Sequence, residues 1–159
     1  GLTRSQWLLL TYLFIITQPL VSSLGANDLT RQDPITKIVK LSGRKGKNHY
    51  YEPSHLYLET GKLYKLKLIN LSDSKHYFTS QKFTDSIFTR KIQVNKGSEK
   101  IAEIKGSILE VEIFPNNTLE WWFVPIKTGI FEDLNCKVID KKLNKSHSDM
   151  GMRGKIIIE

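Results

Sequence analysis

A chain of 159 residues, of which 40% are hydrophobic and 25% charged, has the composition of one folded domain with a core of its own. Its 24 basic and 16 acidic residues leave a net charge of +8, which favours acidic partner surfaces or anionic lipid head groups. The basic residues are dispersed along the chain and often alternate with apolar ones, so we predict no nucleic-acid partner.

The first 26 residues differ from the rest. Arg4 precedes an apolar run, Trp7–Ile16, and small residues follow as far as Ala26, which is the pattern of a secretory signal peptide. An uncleaved anchor is the alternative, but the apolar run is short for a bilayer span, which takes about 20 residues. We therefore predict a signal peptide over residues 1–26, a mature domain over 27–159 with no stable membrane insertion, and a periplasmic or secreted location.

The first part of the mature domain alternates as half-buried strands do. Ile35–Ser42 is one such run, Leu56–Asn70 reads as two runs around a Thr-Gly turn, and "HYFTS" from His76 is another. The stretch "NHYYEPSHL" reads as a polar turn before a strand. We therefore predict that its two histidines, His49 and His55, lie on the surface.

The segment from Ser80 to Val94 departs from this alternation. Phe83, Ile87 and Phe88 recur at the spacing of one helical face. We predict a short helix around residues 80–90, inserted between strands and serving packing rather than chemistry.

Short strands resume after this insertion. Trp121 and Trp122 lie next to each other in one of them and should therefore point to opposite faces. The Lys-rich stretch Lys137–Asp149 reads as a long surface loop, where sites are often built. The strands themselves are Ile108–Phe114, Thr118–Val124, Ile130–Cys136 and the closing "KIIIE". Regularly spaced short strands predict an all-β fold, an antiparallel sandwich or barrel.

The chain contains one cysteine, Cys136. A single cysteine cannot form an intrachain disulfide, so this residue needs another explanation. It is an inert buried thiol, half of an intermolecular disulfide, or a metal-bound thiolate.

Several soft or imidazole donors accompany this cysteine. They are His76, His147, Met150 and Met152. A thiolate, two imidazoles and a distant thioether suit a mononuclear copper ion, because sulfur stabilises Cu(I) and imidazole tolerates both oxidation states. A catalytic zinc site would need a carboxylate or a further nitrogen or sulfur, and an open position for water. No hydrolase triad, phosphate-binding loop or carboxylate pair stands out.

The tail "HSDMGMRGKIII", from His147 to Ile158, resembles the C-terminal motif of the cupredoxins, the blue copper proteins. "YLETGKLYKLKLINLSDSKHYF" is similar to the cupredoxin strand that runs into the first copper histidine, which matches His76. "LEWWFVPIKTGIFEDLNC" resembles the segment that delivers the copper cysteine. The resemblance covers nearly the whole mature chain and is nearest to small periplasmic cupredoxin-like proteins.

This resemblance implies a Greek-key β-sandwich that binds one copper ion through His76, Cys136, His147 and Met152. It also implies roles for these residues. Cys136 would supply the strong bond and the electronic coupling, and His147 the point of electron access. Met152 would tune the potential from the axis, with Met150 as the alternative thioether.

The chain departs from the family pattern at two places. Ten residues, Lys137–Ser146, separate Cys136 from His147, where the family has only a few. The segment from Gly129 to Cys136 is also one residue longer than usual, and an added residue turns the following side chains to the other face unless a bulge absorbs it. Cys136 therefore faces the site only if a β-bulge precedes it.

Together these features predict an exported, monomeric copper protein that transfers single electrons and is not an enzyme, with an acidic redox partner. A copper sequestration or delivery protein without fast electron transfer is the second hypothesis. A metal-free β-sandwich interaction domain is the third.

Overall fold

The structure is a computed structural model that describes residues 28–159, so the expected signal peptide lies outside the described residues. These residues form strands, one short helix, α1 (Gln81–Thr84), and a 3-10 turn at Leu29–Arg31. The strands are β1 (Ile35–Arg44), β2 (Asn48–Glu52), β3 (His55–Leu58), β4 (Tyr64–Asn70), β5 (His76–Thr79), β6 (Ile87–Lys96), β7 (Glu99–Ile104), β8 (Glu110–Ile113), β9 (Thr118–Pro125), β10 (Gly129–Asn135), β11 (Ile139–Asp140), β12 (Lys145–Ser146) and β13 (Arg153–Ile158).

The strands form two main sheets. One has six strands in the order β2-β1-β4-β9-β6-β7, and the other has five in the order β3-β13-β10-β5-β8. Most neighbours are antiparallel, whereas β1 pairs with β4 and β3 with β13 in parallel. β11 and β12 form a separate small hairpin. The predicted all-β sandwich is confirmed.

The core lies between the sheets and is rich in aromatic residues. Phe83, Trp121 and Phe123 are fully buried and pack edge to face, with ring centroids 5.1 to 6.1 Å apart. Trp122 faces the other way, as predicted, but it is buried too. The ammonium groups of Lys65 and Lys91 lie 5.7 and 4.3 Å from its ring centroid, so cation–π contacts cover this outer tryptophan.

The helix predicted around residues 80–90 is shorter than expected. α1 is one turn, capped by Ser80, whose hydroxyl oxygen accepts from the Phe83 N–H at 3.2 Å. Phe83 is buried as expected, whereas Phe88 is 54% exposed because it belongs to β6 and points outward. The three apolar residues therefore do not form one helical face: Phe83 belongs to the helical turn, and Ile87 and Phe88 belong to β6.

β2 corrects the prediction for one of the two upstream histidines. Its side chains alternate between outside and inside, and His49 and Tyr51 are both buried. His55, at the start of β3, is exposed as predicted. The prediction for His49 was wrong because a short polar strand was interpreted as a turn.

A β-bulge lies where the added residue before Cys136 requires one. Phe131 pairs with Ile156 and Leu134 pairs with Gly154, so β10 has one more residue than β13 between the two pairs. The bulge reverses the alternation, and Cys136 is fully buried.

Gly154 permits the close packing beside this bulge. A Cβ at Gly154 would lie 2.4 Å from the Ser54 carbonyl oxygen and 2.7 Å from Leu134 Cδ2. The glycine of the tail motif is therefore required for the close packing of β13 against β10 and the Ser54 backbone.

Among residues 28–159, no helix is long and apolar enough to cross a bilayer.

Candidate metal centre

The predicted donor residues come from neighbouring strand ends. His76 is the first residue of β5, Cys136 follows β10, His147 follows β12 and Met152 precedes β13. β10 pairs with both β5 and β13, which brings these ends together.

Backbone hydrogen bonds hold the three C-terminal donor residues in one turn. The Cys136 N–H donates to the Met152 carbonyl oxygen at 3.3 Å, and the Met152 N–H donates to that of His147 at 2.9 Å. The Ser148 N–H and hydroxyl both donate to the Cys136 carbonyl oxygen, at 2.8 and 2.7 Å. These bonds therefore connect Cys136, His147 and Met152 to one another through the backbone.

Three side-chain donor atoms converge in this turn. His76 Nδ1 lies 3.0 Å from His147 Nδ1, and Cys136 Sγ lies 3.6 Å from His147 Nδ1 and 3.9 Å from His76 Nδ1. All three side chains are at most 1% exposed. Metal bonds to imidazole nitrogen and thiolate sulfur are about 2.0 to 2.3 Å long, so donor atoms at these separations are close enough to share one ion.

The hydrogen bonds around His76 accommodate a proton on the ring nitrogen that faces away from the cluster, Nε2. The Ser72 hydroxyl lies 2.8 Å from His76 Nε2 and also 2.8 Å from two carbonyl oxygens, those of the Asn70 side chain and the Ser74 backbone. A hydroxyl can accept as well as donate, so when His76 Nδ1 binds a metal the protonated Nε2 donates to the Ser72 oxygen, whose own proton goes to one of the two carbonyl oxygens. The Nδ1 atom then presents its lone pair to the cluster.

Burial keeps both histidines neutral. Desolvation lowers the pKa of His76 from 6.5 to about 3, with the neighbouring His147 and His49 contributing. Desolvation likewise lowers the pKa of His147 to about 4. At neutral pH neither ring has to lose an added proton before it binds a metal.

The cysteine is a protonated thiol in the absence of metal. Burial raises the pKa of Cys136, although the Tyr77 N–H, 3.2 Å from Sγ, acts in the opposite direction. Because a metal binds the thiolate, metal uptake must displace this proton.

Met152 is fully buried in the core beside Cys136, whereas Met150 is only half-buried. The structure therefore favours Met152 over Met150 as the thioether nearest the cluster.

His49 joins the cluster although the sequence did not predict it. Its ring stacks on His147, with centroids 3.7 Å apart and an interplanar angle of 21°, and meets His76 edge to face at 5.2 Å. One donor atom from each of His49, His76 and His147 lies within 4.8 Å of the others. The alternation of His49 with Tyr51 in "NHYYE" was the signal that a strand, and not a turn, placed it inward.

The segment between Cys136 and His147 is structured around Asp140. β11 and β12 form a hairpin there. One carboxylate oxygen of Asp140 accepts from Gly46 N–H at 2.7 Å and lies 2.9 Å from His49 Nε2, and the other accepts from the Lys142 and Leu143 N–H groups. The Gly46 N–H and then His49 hold the pKa of this carboxyl well below its usual range. Asp140 is therefore a carboxylate that orients His49.

His147 connects the cluster to the surface. It lines a cavity of about 440 Å³. The rest of its lining is apolar, basic and, at two positions, acidic: Phe114, Pro115, Val138, Ile139, Lys45, Lys75, Lys141, Lys142, Asp73 and Asp140, with Ser74.

Sequence comparisons identify no relatives. No family model matches the chain, and no curated protein matches it.

Solved structures do match. A multi-copper oxidase from Pediococcus acidilactici superposes with a TM-score of 0.55 at 18% identity, over 80% of this chain and 27% of that protein. A multicopper oxidase from Campylobacter jejuni, a metallo-oxidase, gives 0.50 at 17% identity, over 80% of this chain and 30% of that protein. Auracyanin from Roseiflexus castenholzii gives a TM-score of 0.46 at 15% identity, over 78% of this chain and 96% of that protein.

These matches concern the fold alone. The chain spans less than a third of the length of either oxidase, and its identity to each is below 20%. The two-sheet architecture and the first two superpositions agree with the family resemblance of the sequence. The chain therefore has the cupredoxin fold.

Proposed function

We propose that this protein is an exported copper protein that carries single electrons, with one ion held by His76, Cys136 and His147 and with Met152 as the weak axial donor. The convergence of two imidazole nitrogens and one sulfur, all buried and 3.0 to 3.9 Å apart, carries the proposal. Imidazole and thiolate together are the donor set of copper sites that change oxidation state.

The ion would supply the Cu(I)/Cu(II) couple, and the protein fixes its donors in advance. Ser72 accepts from His76 Nε2 and so aims the Nδ1 lone pair at the ion. The Tyr77 N–H stays on the sulfur of Cys136 and stabilises its negative charge once the proton has left. Such outer contacts hold donor geometry constant, which an electron carrier needs.

The surface opening over His147 supports electron transfer rather than closed storage. His147 touches both the cluster and the lysine-rimmed cavity. It offers the electron a short path to a partner that docks there. A single donor cluster among residues 28–159 suffices for one ion and one electron, so we propose a carrier rather than an enzyme.

A second candidate, copper sequestration or delivery, is favoured by one observation. A third imidazole, that of His49, lies beside the cluster, and more donors hold an ion more tightly. Tight retention serves storage or transfer of the metal itself.

One experiment separates these functions. Cu(II) is added to the purified mature chain and the visible spectrum recorded. An intense band near the red end, from thiolate-to-copper charge transfer, is expected for the electron carrier, and stoichiometric binding without that band identifies the sequestration protein. Cys136→Ser should abolish the band, whereas His55→Gln, at an exposed histidine, should leave it unchanged.

The same preparation tests the metal-free alternative. If the chain binds no copper, and Cys136 is alkylated as fast with copper as without it, both copper functions are contradicted and an interaction domain is what remains.

Export is tested separately. The proposal predicts that the protein recovered from outside the cytoplasm lacks residues 1–26, which N-terminal sequencing detects. Recovery of the uncleaved chain in the membrane fraction would contradict it.

A further inference from the structure

We propose that His49 is a third imidazole ligand of this centre, held in position by Asp140. The inference rests on the proposed copper function and changes the ligand set to three nitrogens and one sulfur.

The first observation is a buried nitrogen without a partner. His49 is fully buried, and its Nδ1 has no hydrogen-bond partner among the described residues. Buried polar atoms in folded proteins are nearly always satisfied, so such an atom needs an explanation. A bound metal ion would provide one.

The second observation is the protonation state of the same ring. The Asp140 carboxylate accepts only, so the His49 nitrogen facing it at 2.9 Å, Nε2, carries the proton. In a neutral ring the orphaned Nδ1 then has the lone pair that a metal requires. A carboxylate behind a histidine is the arrangement that orients metal-binding imidazoles in other proteins.

The third observation is distance. A donor atom of His49 lies within 4.8 Å of donor atoms of both His76 and His147. The His49 ring is stacked on that of His147, so shared binding requires it to turn about its Cβ–Cγ bond, a torsion with a broad energy minimum. Nδ1 lies farther from this axis than Nε2, so a small turn moves Nδ1 more than the nitrogen that is bonded to Asp140.

The long loop supports the same assignment. Asp140 belongs to the ten-residue segment by which this chain departs from the cupredoxin pattern. The loop fits against the β1–β2 turn, where Gly46 has a φ of +74° and a Cβ would lie 2.9 Å from Lys142 Cδ. The inserted loop and the inward histidine of β2 therefore contact each other through one carboxylate, and we infer that they act as a unit.

A third imidazole would change the properties of the ion. Imidazole is a harder donor than thioether, so the added nitrogen stabilises Cu(II) relative to Cu(I) and lowers the reduction potential. The site would then have three nitrogens, which can bind a divalent ion even when the thiolate is removed. Met152 would contribute less to binding the ion than it does in a site with two imidazoles.

The direct test uses the unmodified protein loaded with copper. X-ray absorption at the copper edge, and electron paramagnetic resonance with 15N-labelled histidine, count the bound imidazoles. Three are expected. A count of two, with the thiolate charge-transfer band present, overturns the role of His49 and leaves the proposed function standing, whereas failure to bind copper overturns both.

Variants separate binding from stacking. His49→Phe keeps an aromatic ring against His147 but removes both nitrogens. We expect it to raise the reduction potential and to weaken Cu(II) binding by about 10- to 100-fold. His55→Phe, at the exposed histidine, is the matched control. An unchanged potential and affinity in His49→Phe would show that the residue only packs.

A second pair of variants removes the sulfur first. Cys136→Ser should still bind Cu(II) through three imidazoles, without the charge-transfer band, and adding His49→Phe should lower that affinity by a further 10- to 100-fold or so. Equal affinities of the single and double variants would overturn the proposal. If the double variant does not fold, the imidazole count in the wild-type protein decides.

Discussion

A hydrogen bond to Ser72 supports the tautomer in which His76 offers Nδ1 to the ion. The Ser72 hydroxyl oxygen faces Nε2 at 2.8 Å, so Nδ1 is left to bind the ion. Ser72→Ala removes this acceptor and should weaken copper binding by about 10-fold, as loss of an outer contact to a metal ligand does.

Titration with a competing chelator measures this effect. Ser72→Thr retains a hydroxyl and should restore most of the affinity, and Ser107→Ala, on an exposed loop, should change nothing. Equal affinity in Ser72→Ala and wild type would contradict the assignment.

The buried imidazoles also make the stability of the metal-free protein depend on pH. The unfolded chain takes up protons at the ordinary histidine pKa of 6.5, whereas the folded chain does so only near 3 at His76 and near 4 at His147. Their contribution to stability is therefore complete above pH 6.5 and is lost as pH falls towards those values. The charges that oppose this shift are those of Asp73 and Asp140.

Urea unfolding of the metal-free protein between pH 7 and 5 measures this loss. The midpoint should fall steadily over that range, and less steeply in His76→Gln. A midpoint independent of pH would contradict burial of neutral rings.

The sequence predicted part of the donor cluster from residue types alone. His76, Cys136 and His147 were found because thiol and imidazole donors in that order suggest a chemistry, and the structure brings them together. His49 was missed because its neighbours are polar, and the partner that orients it, Asp140, lies 91 residues away. Pairings across such separations are set by the fold and not by local pattern.

At the level of elements, the bulge in β10 decides whether Cys136 faces the site. Spacing showed that a bulge was needed, but its place, between Phe131 and Leu134, depends on the pairing with β13. Deleting the exposed Glu132 should remove the extra residue, restore a regular strand and leave Leu134 and Cys136 facing inward.

The expected result of this deletion is therefore that the thiolate-to-copper band and the slow alkylation of Cys136 are both retained. Glu132→Ala, which keeps the number of residues, should behave as wild type. Loss of the band together with fast alkylation of Cys136 would show that the bulge does not simply absorb one added residue.

The errors at this scale share one physical cause. β2 is a polar strand whose inward residues were a histidine and a tyrosine, and β6 begins with an apolar run that fits a helical face equally well. Short segments do not distinguish the two periods, and tertiary pairing decides. Longer alternating runs such as β1 and β4 were predicted correctly.

For the whole molecule, charge governs how partners approach. The net charge is +8, and exposed lysines surround the opening over His147. We propose that an acidic redox partner docks there, because complementary charge raises association rates and salt screens the effect.

Lys141→Glu with Lys142→Glu should slow electron exchange with an acidic redox protein, by about 10-fold at low salt, because both lysines lie on the rim. Stopped-flow measurement at increasing salt should show the difference from wild type shrinking. Lys62→Glu with Lys127→Glu, before β4 and after β9, is the charge-matched control at the opposite end of these strands. Equal rates in the rim variant and the wild type would contradict docking at this opening.

The position of β13 has a consequence for how the protein is made. It comes last among the described strands, yet it lies between β3 and β10, and it pairs with residues about a hundred positions earlier. Contacts of such long range form slowly. The five-stranded sheet therefore stays incomplete until synthesis has passed residue 158, which would suit the proposed export of the chain in an unfolded state. Because Cys136 and Met152 flank strands of that sheet, the proposed copper site would form only after this sheet is complete.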